Sequence, residues 1–277
     1  MSMRIAVIGA GKMGEALIAG WLRSEIEPAA SISAECIVAV EPTAARRDFL
    51  QQTYGIACVE DAALVTDADI VVLAVKPQVM PSVLAVVAEN AALNKGADAP
   101  LFISIAAGIS TDSIARALLP ETRVVRVMPN TPLMVGAGAS GVCAGAAATD
   151  ADVALVQGLF ACMGTAVVVD EAAMDAVCAV SGSGPAYVDA FIEALAAAGA
   201  EEGLDADLAQ KLAIQTVFGS AKLLLDTGMA PADARLAVCS PGGTTLAGLD
   251  AMGKAGFDQA ITAGVKAAAA RSKELGA

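Results

Sequence analysis

The chain has 277 residues, of which 56% are hydrophobic and 17% charged, so it is too apolar for disorder and long enough for one or two folded domains. The formal net charge of −13 disfavours nucleic acid and membrane surfaces as partners. Histidine is absent, which excludes mechanisms and metal sites that need an imidazole, and no metal site is expected.

Cysteine usage and the N-terminus predict the compartment. None of the six cysteines forms a Cys-x-x-Cys pair, as is typical of reduced thiols in a cytosolic protein. The first residues run into a strand-and-glycine pattern without a signal-peptide cleavage site. Two uncharged stretches, 127–149 and 153–169, contain glycines and are interpreted as buried structure, not as membrane spans. We therefore expect a cytoplasmic protein.

Short apolar segments alternate with helix-like segments in the first half of the chain. The pattern predicts strands at 4–8, 36–40, 70–75, 101–105 and 123–127, and helices at 13–23, 44–53 and 61–66. Apolar strands separated by helices are typical of a mostly parallel sheet that helices cover on both faces.

The character of the sequence changes after the apolar segment 166–170. Long helices are predicted at 186–202, 206–226 and 257–275, and no strand is predicted beyond residue 170. We therefore divide the chain into an α/β domain of residues 1–170 and an all-helical domain of residues 171–277. The helical domain is rich in alanine and apolar around much of its surface, so we expect its helices to interlock with a second subunit.

A glycine motif joins the first predicted strand to the first predicted helix. Its sequence is Gly9-Ala10-Gly11-Lys12-Met13-Gly14. In a G-x-G-x-x-G motif the first glycine allows a tight turn, the second lets backbone approach a pyrophosphate, and the third lets helix pack on strand. The N–H groups that open the helix favour phosphate. The context predicts dinucleotide binding; the alternative is a glycine-rich turn without a ligand.

The residue that ends the second predicted strand bears on the choice of cofactor. That residue is Glu41, and a carboxylate there can bind a ribose diol and repels a 2′-phosphate, which favours NAD. Arg46 and Arg47 follow closely and could instead receive a phosphate, or form a solvated helix face. The sequence leaves the preference open.

Unusual sequences follow three further predicted strands. They are Ala74-Val75-Lys76-Pro77, Ser104-Ile105-Ala106-Ala107-Gly108 and Met128-Pro129-Asn130-Thr131-Pro132. Because the carboxyl ends of parallel strands meet at one edge of a sheet, we expect these segments at the ligand-binding edge. Each also has a simpler interpretation, since Pro, Gly and Asn commonly end strands and form turns.

Two glycine-rich segments interrupt the helical half. They are Ser181-Gly182-Ser183-Gly184-Pro185-Ala186-Tyr187 and Ser240-Pro241-Gly242-Gly243-Thr244-Thr245. In the second segment, glycines followed by threonines at a helix start provide N–H groups and hydroxyls that suit a small carboxylate. A plain helix–helix turn explains the same residues equally well.

Taken together, in this order and over about residues 4–250, the segments GxGxMG, AVKP, SIAAG, MPNTP, SGSGPAY and CSPGGTT resemble the pyrroline-5-carboxylate reductase family. The resemblance implies an N-terminal Rossmann dinucleotide-binding domain and an all-helical dimerisation domain. It also implies an intertwined homodimer, which in this family is often part of a decamer.

The resemblance implies the residues of both sites. The substrate site is implied at the loop of residues 242–245, with the backbone amides of Gly243, Thr244 and Thr245 binding the substrate carboxylate. The Thr245 hydroxyl is implied to hydrogen-bond the ring nitrogen. The implied cofactor residues are those of the 9–14 motif with Glu41, Val75, Lys76, Pro77, Ala106 and Ala107. One departure concerns the cofactor, NADPH or NADH: relatives that prefer NADPH tend to have a small polar residue where Glu41 stands.

The implied reaction is hydride transfer from a reduced nicotinamide to the C=N carbon of 1-pyrroline-5-carboxylate, which yields L-proline. An imine protonates readily and then accepts hydride, so the reaction needs orientation more than a strong acid. Thr245 is therefore assigned a positioning role, and Lys76 either donates a proton or fixes the strand end or the cofactor. The alternatives are a ketopantoate or β-hydroxyacid type of reductase, and a non-catalytic nucleotide-binding regulator.

Overall fold

The structure is a computed structural model that describes residues 3–95 and 98–276. The chain forms two compact units. The first runs to Ser183 and includes the chain again from Ala268 onward, and the second comprises Gly184–Ala267.

The first unit is built on an eight-stranded sheet. Its strands are β1 (Ile5–Ile8), β2 (Ile37–Val40), β3 (Ala57–Val59), β4 (Ile70–Leu73), β5 (Leu101–Ser104), β6 (Val124–Met128), β7 (Gly138–Ala144) and β8 (Gly164–Val168). The spatial order is β3-β2-β1-β4-β5-β6-β7-β8. Strands β1 to β6 run parallel, β7 is antiparallel to β6, and β8 is parallel to β7. The order reverses beside β1, and such a point is where open parallel sheets bind ligands.

Helices cover both faces of this sheet. They are α1 (Lys12–Arg23), α2 (Ala44–Tyr54), α3 (Met80–Glu89), α4 (Thr111–Ala117), α5 (Asp150–Ala161) and α6 (Met174–Val177), followed by a π-helical turn at Cys178–Gly182. Along β1, Ile5 and Val7 join a core with Trp21 of α1, whereas Ala6 and Ile8 join the core on the other face. Alternate residues are buried on opposite faces, which is why the strand is apolar throughout.

The second unit is helical. Its helices are α7 (Gly184–Glu201), α8 (Ala206–Thr227), α9 (Pro231–Ala237), α10 (Thr244–Lys254) and the first part of α11 (Phe257–Leu275). Within α8 the buried residues are the small Ala209 and Ala213, while Phe218 and Leu225 are 58% and 81% exposed. A helix that leaves large apolar side chains in water is typical of a surface that another chain covers.

The fold class predicted from the sequence is confirmed, with three strands missed. The sequence analysis did not identify β3, β7 or β8, although it noted the apolar segment 166–170, and the strand predicted at 70–75 ends at Leu73. The uncharged stretch 127–149 contains β7, and 153–169 contains most of α5 and all of β8. In the described part of the chain, no helix is long and apolar enough to cross a membrane.

The boundary predicted at residue 170 differs from the division between the compact units, which falls after Ser183. The chain beyond Asp170 stays with the sheet because α6 and the π-helical turn pack on β7. A Cβ built on Gly141 of β7 would lie 2.7 Å from Cγ1 of Val177, and the Asn130 amide donates to the Ser181 carbonyl over 3.0 Å. The two-domain assignment with its boundary at 170 therefore stays a prediction.

Candidate cofactor and substrate sites

The glycine motif forms a tight turn between β1 and α1 that side chains would block. Gly9 has φ of +96°, and a Cβ there would lie 2.7 Å from Cγ1 of Val75. A Cβ on Gly14 would lie 2.2 Å from the Gly9 carbonyl oxygen. At Gly11, by contrast, a Cβ would meet nothing within 4 Å. Two glycines are thus required by the protein itself, and the third faces open space.

The start of α1 provides hydrogen-bond donors beside that open space. Gly11 is the N-cap residue, and no side chain caps the helix. The first N–H groups of a helix have no intrahelical acceptor, and the helix dipole adds positive potential there. The turn therefore fits a pyrophosphate, which would approach the backbone at Gly11 and accept from these N–H groups.

A cleft of about 480 Å³ opens at this turn, along the carboxyl ends of β1, β2 and β4. Of the predicted cofactor residues, the cleft wall includes Gly9, Gly11, Glu41, Val75 and Lys76. The predicted cofactor residues that neighbour these in sequence but do not line the cleft are Ala10, Lys12, Met13, Gly14 and Pro77. The structure therefore brings five of the predicted cofactor residues together in one cleft, from the ends of β1, β2 and β4.

Ala106 and Ala107 follow β5, which pairs with β4 through Leu73 and Ser104. They lie at the same edge of the sheet but outside the cleft wall, and Ala106 is buried. Leu275 of α11 packs closely against this loop, because a Cβ built on Gly108, where φ is +78°, would lie 2.8 Å from the Leu275 Cβ. The end of α11 thus packs directly on the loop that follows β5.

The β2 end of the cleft is held by a small hydrogen-bond network. One oxygen of the Glu41 carboxylate accepts the Thr43 N–H over 3.0 Å. The Arg47 guanidinium donates from Nη1 to the carbonyl oxygens of Glu41 and Pro42, each over 2.8 Å. Its Nη2 lies 3.7 Å from the carboxylate of Glu60. Arg47 therefore braces the turn between β2 and α2.

Arg46 is also engaged with the protein. Its Nε donates to the Ala10 carbonyl over 3.0 Å, and its Nη2 lies 2.5 Å from the Glu15 carboxylate. Glu15 also accepts from the Tyr54 hydroxyl over 2.7 Å. Burial opposes ionisation of Glu15, but the hydrogen bonds from Arg46 and Tyr54 outweigh it and lower the pKa of this carboxyl. Arg46 thus ties α2 to the glycine turn. This role differs from the two considered from the sequence, which were phosphate binding and a solvated helix face.

The sequence analysis missed several residues of the cleft wall. They include Pro42, Glu60, Asp61, Val79 and Ser82. Glu60 and Asp61 reach the cleft because they follow β3, a strand of three residues that gives no usable periodicity. Pro42 could have been predicted as a cleft residue, because it follows Glu41 directly after a predicted strand.

The loop of residues 242–245 lies in the second unit and opens α10. Gly242 has φ of +71°, and Gly243 is the N-cap residue without a side-chain cap. The Gly243 N–H donates to the Ser240 carbonyl over 2.9 Å, so this amide is already paired. The N–H groups of Thr244 and Thr245 open the helix and remain suited to a carboxylate.

A buried ion pair lies outside the cleft. Arg126 of β6 is 4% exposed and pairs with Glu171, which also accepts from the Thr111 hydroxyl over 2.8 Å. Burial, reinforced by the Glu171 carboxylate, raises the pKa of the neighbouring Cys143 thiol to about 12. Within residues 3–95 and 98–276, no group of three or more acidic or cysteine side chains could hold a metal ion.

The strand order, the glycine turn and the cleft at the reversal of that order define a Rossmann dinucleotide-binding protein. Residues 4–108 match a family model described as NADP oxidoreductase coenzyme F420-dependent. Residues 171–275 match the model for pyrroline-5-carboxylate reductase dimerisation.

Comparison with individual proteins covers the whole chain. It is 43% identical to pyrroline-5-carboxylate reductase of Synechocystis sp., over 100% of this chain and 99% of the relative. It is also 43% identical to the enzyme of that name from Methanosarcina acetivorans, over 99% and 98%. The crystal structure of Plasmodium falciparum pyrroline carboxylate reductase with NADP bound gives a TM-score of 0.86 at 30% identity, over 99% and 98%. The chain belongs to the pyrroline-5-carboxylate reductase family, which confirms the resemblance found in the sequence.

Proposed function

We infer that the chain catalyses reduction of 1-pyrroline-5-carboxylate to L-proline, the last step of proline biosynthesis, with NADPH or NADH as reductant. The observation that carries this function is the match to named reductases over the full length of the chain, in a protein whose glycine turn is intact. Gly11 adds support, because a Cβ there would meet no protein atom within 4 Å, so its small size is explained by the close approach of a pyrophosphate and not by packing within the protein.

The residues of the first unit have defined tasks toward the cofactor. Gly11 and the first N–H groups of α1 would bind the pyrophosphate, and Glu41 would bind the ribose. Val75, Lys76, Ala106 and Ala107 would border the nicotinamide end. When bound, the reduced nicotinamide supplies the hydride that adds to the imine carbon.

The loop of residues 242–245 has the groups that the substrate needs. The substrate carboxylate would accept from the N–H groups of Thr244 and Thr245, since that of Gly243 is paired with Ser240. The Thr245 hydroxyl would hydrogen-bond the ring nitrogen and fix its orientation. As carbon gains the hydride, the C=N electron pair moves to the nitrogen, which retains the proton it carried as an iminium. No strong acid is required, in accord with a chain that lacks histidine.

The chain's match to a dimerisation model supports oligomerisation through the helical unit. We propose that the exposed apolar side chains of α8, such as Phe218 and Leu225, are covered by the partner, and that a decamer assembles from such dimers. The cytoplasm is the proposed compartment, supported by thiols at Cys58, Cys143 and Cys162 that are not in disulfides.

The experiment that tests the function compares substrates at saturating cofactor. Initial rates would be measured with 1-pyrroline-5-carboxylate, with ketopantoate and with a β-keto acid. The proposal expects turnover of the cyclic imine and little turnover of either keto acid. Faster turnover of a keto acid would favour the other reductase class, and tight cofactor binding without any turnover would favour a non-catalytic regulator.

A further inference from the structure

We propose that the β2 end of the cleft selects NADH over NADPH, and that Glu41 is the residue that selects. This inference rests on the proposed function, because it assigns that end of the cleft to the adenosine ribose. The NADP in the Plasmodium falciparum structure belongs to a chain 30% identical to this one. The preference of this chain is decided by its own residues at the end of β2.

The Glu41 carboxylate is fixed at the end of the cleft that we assign to the ribose diol. It lines the cleft directly after β2, and the bond from the Thr43 N–H fixes one of its oxygens over 3.0 Å. The other oxygen has no protein donor among the hydrogen bonds of the described residues, and can accept from ribose hydroxyls. A carboxylate in this place accepts from the diol of NADH and has nothing to donate to the 2′-phosphate of NADPH.

Two more carboxylates line the same end of the cleft. Glu60 is 66% exposed along its side chain, and Asp61 is fixed by accepting the Ala63 N–H over 2.8 Å. A phosphate monoester carries about −1.5 to −2 charges at pH 7. A 2′-phosphate would therefore enter a wall with acidic groups at Glu41, Glu60 and Asp61, and like charges disfavour its binding.

The two arginines nearest this wall are already used by the protein. Arg47 donates from Nη1 to the carbonyl oxygens of Glu41 and Pro42, and its Nη2 lies 3.7 Å from the Glu60 carboxylate. Arg46 donates to the Ala10 carbonyl and to Glu15 and lies over the Phe49 ring, with 5.0 Å between its Cζ and the ring centroid. If either guanidinium swung out toward a 2′-phosphate, it would give up bonds that hold the turn together. The structure therefore assigns the arginines to the scaffold and the carboxylate to the cofactor.

The experiment measures kcat/KM for NADH and for NADPH with 1-pyrroline-5-carboxylate, in the full-length protein and in single variants. For the unaltered protein we expect NADH to be favoured by about tenfold or more, the scale of a single charged contact in a specificity pocket. Glu41→Ser should lower the NADH to NADPH ratio by about tenfold or more, with most of the change from improved use of NADPH. The matched control is Glu35→Gln, which also removes one negative charge but at an exposed position near the other end of β2. It should leave the ratio unchanged.

Arg47→Ala separates the scaffold role from phosphate binding. If Arg47 braces the turn, its loss should weaken both cofactors by similar factors. A selective loss of NADPH use would show that Arg47 binds the phosphate and would overturn the proposal. An unaltered protein that uses NADPH as well as or better than NADH would also overturn it.

Equilibrium binding of each cofactor tests the selection of NADH separately from the proposed reaction. Quenching of the single tryptophan, or energy transfer from it to the reduced nicotinamide, gives Kd for each cofactor without substrate. Tighter binding of NADH would support the selection by Glu41 even in a protein that turns over no cyclic imine. In that case the proposed reaction would be wrong and the proposed selectivity would stand.

Discussion

The glycine turn allows a prediction in which two substitutions of the same kind have different effects. In Gly14→Ala the new Cβ would lie 2.2 Å from the Gly9 carbonyl oxygen, whereas ordinary contacts begin at 3.4 Å. The turn must open by about 1 Å, and overpacking against backbone typically costs about 1–3 kcal/mol. In Gly11→Ala the Cβ meets no protein atom within 4 Å, so we expect a change in the free energy of unfolding of no more than about 0.5 kcal/mol.

Both substitutions should weaken cofactor binding, for different reasons. Gly14→Ala displaces the backbone at the phosphate position, and a misplacement of about 1 Å can cost on the order of a hundredfold. Gly11→Ala puts a methyl group where the pyrophosphate would approach, so binding should fall by at least about tenfold in a protein of normal stability.

The assay for this pair is denaturant unfolding at fixed protomer concentration, together with cofactor titration of the folded protein. The reasoning would be refuted by a Gly11→Ala variant that binds cofactor as tightly as the unaltered protein. It would equally be refuted by Gly14→Ala with unchanged stability, because the Gly9 carbonyl would then have moved without cost.

Three further predictions concern other parts of the molecule. Thr245→Val should lower kcat with 1-pyrroline-5-carboxylate by about ten- to a hundredfold, and Thr245→Ser should restore most of it, because the hydroxyl positions the ring nitrogen. The lowered pKa of Glu15 means that its stabilising contribution is present above pH 4.5 and is lost as pH falls through the folded value. Unfolding experiments should therefore show that Glu15→Gln costs about 1 kcal/mol or less at pH 7, and that this cost shrinks toward zero in acid. Glu171→Gln leaves the buried Arg126 guanidinium without its counter-charge and should cost about 2–4 kcal/mol of unfolding free energy, whereas Glu274→Gln, in an exposed pair, should cost about 0.5 kcal/mol at most.

Each of these predictions has an outcome that contradicts it. Equal kcat for Thr245→Val and the unaltered protein would remove the hydroxyl from the mechanism. A cost for Glu15→Gln that grows in acid would reverse the assigned direction of its pKa. A Glu171→Gln variant as stable as the Glu274→Gln control would show that the Arg126 pair contributes little to the fold.

The parts of the fold that could be predicted depend on local sequence. The turn at Gly9 and the start of α1 follow one another directly, so strand, glycine motif and helix could be recognised in one window. Strand β7 could not, because its residues Gly138–Ala144 are mostly small and show no clear alternation of apolar and polar side chains. The small residues are explained by the structure, since Val177 of α6 packs against Gly141.

The candidate site shows the same limit. Glu41 and the glycine motif were identifiable because their roles depend on position after a strand. The roles of Arg46 and Arg47 were left open because their acceptors, at Ala10 and at the Glu41 carbonyl, are known only once α2 is packed. The pairing of the Gly243 N–H with Ser240 was likewise invisible, and it reduces the predicted set of carboxylate donors.

The central claim is that this chain transfers a hydride to the imine carbon of 1-pyrroline-5-carboxylate. The most direct measurement uses reduced nicotinamide carrying deuterium at its transferable position, with the product analysed by mass spectrometry and NMR. The account predicts L-proline with one deuterium at the former imine carbon, formed in step with cofactor oxidation. Proline without deuterium, or cofactor-bound protein that forms no proline, would contradict it.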